Sequence, residues 1–401
     1  MRQTGTTLFG CLAVLAATGP LAGQQKVALS KPLAETAESF TQISSIRELP
    51  SGKVLVADSR DKVVQLVDLS SGTMTKVGRE GSGPGEYALP MSLIALPDGT
   101  TLLHDLLNNR FLTIGADGKP GALLEMPRPP SSTTGGPDGG RMMLGAMRNI
   151  RGADNRGRIY FAGSPFSATG GTGDSVALLR WDRVKPTFDT VGYLRLPANS
   201  VSRSSPSPGQ MTVRMGNNIR FTPAETWGVA GDGSIVRIFP SPYRVGWYSD
   251  QGRMTAGPVV PYTPLKVTEA DKKEVIEAQR RNPGVTMVFG GPGGGARAGA
   301  PPPNVQAPEP EFAETKPPYD AGLGLAGAAL LVAPEGEAWV LRTRPAGDKI
   351  PTYDVFDRAG TLVRKVSLNP SSRVVGFGKG VVYVARSDED DLVYLQRFAR
   401  P

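Results

Sequence analysis

The sequence has one cysteine and one histidine in 401 residues. It has no apolar run long enough to span a bilayer and no run of four basic residues. Each shortage excludes something. The cysteine, Cys11, falls in an N-terminal segment composed like a secretory signal: Arg2 supplies positive charge, residues 8–17 are a short apolar core, and Pro20-Leu21-Ala22-Gly23 precedes Gln24. Residues 1–23 are therefore expected to be a signal peptide cut after Gly23. The mature chain, residues 24–401, then has no thiol, which removes disulfides, a cysteine nucleophile and thiolate metal sites together. Export without disulfides implies a core large enough to hold without staples, in a periplasmic or extracellular protein. With His104 the sole imidazole, a metal centre of several histidines is excluded. The longest later apolar stretch, residues 321–333, is glycine-rich and well short of the ~20 residues a membrane helix needs, so it reads as a buried strand.

The formal charge is +8. A basic chain can serve nucleic acid or an anionic surface, but here the bases are spread through the sequence with acids between them. Together with export, this argues against a nucleic-acid partner.

Glycine is abundant, at 50 residues, and six copies share one context. A turn carrying Gly52, Gly99, Gly157, Gly233, Gly336 or Gly380 precedes a burst of β-prone residues, as in Val54-Leu55-Val56-Ala57-Asp58 or Ala338-Trp339-Val340-Leu341. Turn-plus-strand units repeated in this way indicate an all-β, six-bladed β-propeller. The first and last intervals, Gly52 to Gly99 and Gly336 to Gly380, are close to a bare four-stranded blade of about 40–45 residues, and the others carry insertions. A second turn marker follows each strand pair in five blades, for example Asp68-Leu69-Ser70-Ser71-Gly72 and Asp357-Arg358-Ala359-Gly360. The chain ends where the third strand of blade six should finish. The missing outer strand is expected from the N-terminus, residues 26–29 being the natural donor, so that the ring closes by pairing the two chain ends.

In a four-stranded blade the turns joining strands one to two and three to four share one face of the disc. Loops joining strands two to three, and blade to blade, share the other. The short markers all belong to the first face. The long insertions, residues 126–148, 163–174, 197–220, 258–319 and 342–349, all belong to the second. One smooth face and one elaborated face suit a scaffold with a single working surface. Within the longest insertion (residues 265–318), Thr268-Glu269-Ala270-Asp271 reads as a capping box opening a short helix that Asn282-Pro283 stops. Residues 290–310 are Gly/Pro/Ala-rich and read as a mobile loop.

The stretch Val77-Gly78-Arg79-Glu80-Gly81-Ser82-Gly83-Pro84-Gly85-Glu86-Tyr87, followed by Leu89-Pro90 and Leu96-Pro97-Asp98-Gly99, resembles the blade junction of NHL-type six-bladed propellers. Val56-Ala57-Asp58 to Val63-Val64-Gln65-Leu66 resembles the family's strand–Asp–loop–strand phrase, as does Leu103-His104-Asp105 to Asn109-Arg110-Phe111. The mature chain is similar in layout to the secreted bacterial six-bladed group. That resemblance implies fold and export; relatives with activity include lyases and lactonases with a metal in the central channel.

Candidate chemistry is sparse. The Gly-rich loop at residues 78–87 could cradle phosphate, but no helix follows it, which favours an inter-blade turn with Tyr87 packed between blades and Pro90 starting a strand. His104 could be a lone general base or a histidine bonded to its surroundings near a strand end. Asp58 and Asp105 sit at equivalent places where strand two leaves the sheet. They could hold Ca²⁺, or each could cap its own turn. Arginines recur on the elaborated face: Arg60, Arg79, Arg110, Arg220, Arg342, Arg344 and Arg386. Clustered guanidinium groups would suit a carboxylate, phosphate or sulfate, while the alternative is local pairing with acids such as Glu86. Trp227, Trp247 and Trp339 read as packing between blades. No Gly-x-Ser-x-Gly elbow is present. The expectation is an exported scaffold, without a resident cofactor, that binds a protein, peptide or glycan through its loop-rich face. The alternative is a metal-dependent lactonase or lyase.

Overall fold

All six marker glycines adopt φ between +69° and +88°, the region where an L side chain is strained and glycine is not. In five of them the glycine N–H donates to the carbonyl three residues back: Leu49, Leu96, Asp154, Ala230 and Ala333. These turns each join the first and second strands of a sheet. The computed structural model describes residues 25–127, 150–163, 174–197, 201–207, 210–215, 219–281, 286–289, 296–299, 310–321 and 329–401. The expected signal segment and much of the insertions lie outside the described residues.

Six antiparallel sheets of four strands follow one another as blades. Blade one is Ser45–Glu48, Val54–Asp58, Val63–Asp68 and Thr73–Lys76. Blade two is Pro90–Ala95, Thr101–Asp105, Arg110–Ile114 and Pro120–Glu125. Blade three is Ile150–Ala153, Ile159–Ala162, Ser175–Asp182 and Thr187–Arg195. Blade four is Thr226–Val229, Ile235–Pro240, Tyr243–Tyr248 and Met254–Ala256. Blade five is Leu330–Val332, Ala338–Leu341, Thr352–Phe356 and Leu362–Leu368. Blade six is Ser372–Gly378, Val381–Ser387 and Val393–Ala399, completed by Ala34–Glu35. The first strand of each blade lies innermost. Around the ring, Ser45–Glu48 adjoins both Ser372–Gly378 and Pro90–Ala95, and Ile150–Ala153 adjoins both Pro90–Ala95 and Thr226–Val229.

The ring closes through the N-terminus, but not through the expected residues. Ala34–Glu35 pairs antiparallel with Val393–Ala399, with Ala34 opposite Arg397. Gln25–Leu29, which contains the anticipated donor residues 26–29, instead runs parallel to Leu362–Leu368 and makes blade five five-stranded. Blade six still needs an antiparallel outer strand, and the segment nearest blade one supplies it. Phe40, 3% exposed, extends the closure by a further bridge to Val393.

The core is a circle of inter-blade clusters rather than one central mass. Leu49, Leu55, Ala57, Tyr87, Leu93 and Leu103 fill the seam between blades one and two. Trp227 stands with Tyr160 and Leu178 between blades three and four. Trp339 packs with Tyr353, Val374 and Val382 between blades five and six. This follows from strand chemistry: the second strands, such as Val54–Asp58 and Thr101–Asp105, are buried throughout because both faces meet a neighbouring blade.

A single helix among the described residues, α1 (Glu269–Arg281), lies between blades four and five. Thr268 and Asp271 close its N-terminus reciprocally: Thr268 N–H donates to Asp271 Oδ2 (2.8 Å) and Asp271 N–H to Thr268 Oγ1 (3.3 Å). The buried Lys316 ammonium donates to Asp271 and to the Arg344 carbonyl. Part of the stretch expected as a mobile loop is a strand: Ala296–Gly299 pairs with Thr286–Phe289. The rest of residues 290–309 lies outside the described residues. No helix among the described residues is long and apolar enough to cross a membrane.

Candidate functional site

The two faces of the disc are built differently. On the smooth face the turns are short and closed on themselves. Gly72, Gly118, Gly252 and Gly360, in the turns between third and fourth strands, donate N–H to Asp68, Gly115, Ser249 and Asp357 carbonyls. On the opposite face the connections carry the longer excursions, including α1 and the 342–351 loop between the second and third strands of blade five.

Asp58 and Asp105 stand at the elaborated ends of the second strands, and both are essentially inaccessible, at 1% and 0%. Asp58 Oδ1 accepts from Arg60 and Asp61 N–H, the expected Asx turn. Its Oδ2 reaches further, accepting from Thr41 and Gln42 N–H at 3.0 and 2.9 Å. Asp105 Oδ1 accepts from Ala88 and Leu89 N–H, and its Oδ2 from Asn108 Nδ2 (2.7 Å) and Arg110 Nε (3.4 Å). Each carboxylate thus pins the connection entering its own blade. Burial raises the Asp58 pKa, and the N–H donors oppose that shift. No group of three or more His, Cys, Asp or Glu among the described residues is placed to hold a metal ion.

The face arginines divide by partner. Arg79 Nε donates to Glu86 (2.7 Å), Arg220 to Asp320 (3.1 Å), Arg342 to Asp354 (2.8 Å), and Arg386 donates through Nε and Nη2 to one oxygen of Glu35, Oε1. Arg110, besides Asp105, donates to the carbonyls of Ser82 and Glu86 and so holds the Gly-rich loop. That loop is an inter-blade turn: Tyr87 is fully buried, and its hydroxyl donates to the Val77 carbonyl while accepting from Val64 N–H. Pro90 begins the next strand. The Arg60 side chain is exposed, and Arg344 is half-buried near the Lys316 contact.

Asp354 is completely buried, and its Oδ2 also accepts from the Tyr243 hydroxyl (3.0 Å) of blade four. Burial raises its pKa against the pull of Arg342. This Arg–Asp–Tyr group locks blades four and five together. His104 is buried at 3%, its ring 5.8 Å from that of Phe111. Trp247 donates Nε1–H to the Asp357 carbonyl, and Arg358 covers its ring at 4.3 Å.

Three charged residues of a different kind were not among the candidates. Arg47, Arg151 and Arg373 are half-buried and lie on the innermost strands of blades one, three and six. Their signal was present in sequence as an arginine interrupting a β-prone run five to seven residues before a marker glycine. It carried meaning only once those runs were known to be the channel-lining strands.

No family model and no curated protein matches the sequence. Among solved structures, a candidate exported protein from Bacteroides fragilis is 11% identical, with 94% of this chain and 100% of that chain covered and a TM-score of 0.47. Virginiamycin B lyase from Staphylococcus aureus is 14% identical over 91% of this chain and 98% of its own, at a TM-score of 0.38. A calcium-binding protein, regucalcin, from Agrobacterium tumefaciens is 11% identical over 94% and 97%, at 0.41. The six-blade arrangement itself is read from this chain's own sheets.

Proposed function

We propose that this protein is an exported propeller scaffold that binds a protein, peptide or glycan partner through its loop-rich face. The observation that carries the reading is the one-sidedness of the disc. Nine short turns on one face are closed by glycine N–H bonds, while every long connection leaves from the other. Loops on a rigid scaffold are where recognition is placed. Export rests on the composition of residues 1–23. Arg60 and Arg79, both exposed on this face, are the guanidinium groups best placed to meet an acidic partner.

The test compares the wild-type chain with a variant combining Arg60→Ala, Arg79→Ala, Arg344→Ala and deletion of residues 290–310. Immobilised protein is exposed to an envelope extract and to a glycan array, and bound species are identified by mass spectrometry. Loss of a wild-type partner supports the reading. Retention of every partner by a correctly folded variant overturns it.

A further inference from the structure

The innermost strands border the central channel, and their charge is one-sided. Across all six, the charged residues are Arg47, Glu48, Arg151 and Arg373. Glu48 turns towards blade six, where its carboxylate accepts from the Tyr383 hydroxyl and Lys379 N–H (3.0 Å). The three arginines have no carboxylate partner among the described residues. Elsewhere several arginines do meet a carboxylate, Arg158 with Asp154 at 2.6 Å, Arg342 with Asp354 at 2.8 Å and Arg364 with Glu337 at 2.6 Å, while Arg244 and Arg397, on outer strands, also have none among the described residues.

Arg47, Arg151 and Arg373 differ from Arg244 and Arg397 in lying on the innermost strands. Arg151 lies over the Trp227 ring at 5.8 Å, and its Nε–H is buried with no acceptor among the described residues. Arg47 Nε–H is likewise buried without one. Arg373 donates to the Ile43 carbonyl. Burial lowers the pKa of each, that of Arg151 to about 10, with Glu48 partly countering the effect at Arg47. All three remain cationic at neutral pH. A buried N–H without an acceptor is costly, and an anion satisfies both the donor and the charge.

Cross-strand register gives their heights along the channel. Arg47 is opposite Leu55, Arg151 lies at the bulge facing Tyr160 and Phe161, and Arg373 is opposite Ala385. Counted from the marker glycines, these levels differ by about two residues, or roughly 7 Å at a strand rise of ~3.3 Å. Three cations from three directions, staggered over that depth, suit an elongated anion better than a single-centred one.

We propose that the central channel is an anion-binding site, in which Arg47, Arg151 and Arg373 hold a small molecule carrying two or more oxyanion groups. The site is separate from the partner-binding face proposed above. Isothermal titration calorimetry on the full chain at fixed ionic strength tests it, with inorganic pyrophosphate as the main probe and inorganic phosphate and citrate as comparison arms. Pyrophosphate or citrate is expected to bind more tightly than phosphate. Arg151→Gln and Arg47→Gln should each weaken binding about tenfold or more, since each removes a charge-assisted contact. The Arg60→Ala, Arg79→Ala variant of the outer face should bind as wild type, which keeps failure of this site distinct from failure of the partner-binding reading. Wild-type protein provides a measurement that needs no substitution: pyrophosphate should protect Arg47, Arg151 and Arg373 from phenylglyoxal, read by peptide mapping. Absence of binding by all three anions at about 10 mM, a range that reaches even weak millimolar affinities, overturns the proposal. So does unchanged affinity in the two glutamine variants, or equal phenylglyoxal labelling with and without pyrophosphate.

Discussion

Replacing Asp58 by alanine removes one buried carboxylate and strands four backbone donors. Thr41 and Gln42 N–H donate to Oδ2, and Arg60 and Asp61 N–H to Oδ1, all at 2.9–3.0 Å. Arg60 and Asp61 are exposed, so water takes over there at little loss. Thr41 and Gln42 are half-buried, and each unmet donor costs about 1–3 kcal/mol. The desolvation that raises the Asp58 pKa offsets part of this. The net loss should be about 3 kcal/mol, which for a domain of this size lowers Tm by roughly 4 °C. Thermal and urea unfolding followed by circular dichroism measure it. Asp61→Ala, which loses one exposed contact to the Thr41 hydroxyl, should change stability by less than about 0.5 kcal/mol. Asp105→Ala should cost at least as much as Asp58→Ala, since Asn108 and Arg110 lose their acceptor too. A Tm for Asp58→Ala within a degree or two of wild type would refute the reasoning. Repeating the wild-type melt with a chelator separates this role from calcium binding. The hydrogen-bonded geometry predicts no change, whereas a calcium ligand role predicts a lower Tm.

Other perturbations probe closure, ionisation and close packing. A chain beginning at Ser30 loses Gln25–Leu29 and the burial of Leu29, about 2 kcal/mol. It should remain a monodisperse propeller by size exclusion. A chain beginning at Gln42 also loses Ala34–Glu35 and Phe40, leaves the edge of blade six open, and should aggregate. Burial raises the pKa of Tyr243 and Tyr319 well above the ordinary value and that of Tyr353 to about 12. These tyrosines ionise near pH 10 in the unfolded chain, so the native state holds more protons above that pH. Stability should be intact below about pH 10 and fall as pH rises towards 12, and Tyr353→Phe should make the fall shallower. A flat stability profile from pH 9 to pH 11, roughly one unit either side of the unfolded tyrosine pKa, would contradict this. A Cβ on Gly257 would sit 2.0 Å from the Gly360 carbonyl oxygen across the seam of blades four and five. Gly257→Ala should therefore cost about 2–3 kcal/mol, measured by urea unfolding.

Much of the architecture was legible because it is local chemistry. A positive-φ glycine in a tight turn followed by β-prone residues needs no distant partner, and six such turns became six blades. The Thr268–Asp271 cap was readable for the same reason, its two residues being three positions apart. The asymmetry of the faces followed from strand count and loop length alone. The choice of closing strand was not legible, because residues 26–29 and Ala34–Glu35 both satisfy the local demands of an edge strand. What separated them was which sheet edge lay nearest in space, and in which direction its strand ran.

The ion pairs show the same divide. Arg79 and Glu86 lie within one loop, and the acid was foreseeable. Arg220 meets Asp320 only because the insertion after blade four folds back beside residues 219–220, and Arg386 meets Glu35 only because the ring returns to its start. The sequence by itself determined a disulfide-free, six-bladed scaffold with one plain face, since turns and strand periodicity are properties of a few consecutive residues. Only the tertiary structure decided which charges meet a carboxylate and which, on the innermost strands, do not. Coulombic pairing and desolvation depend on distance in space, and in a closed ring that distance is set by blades far apart along the chain.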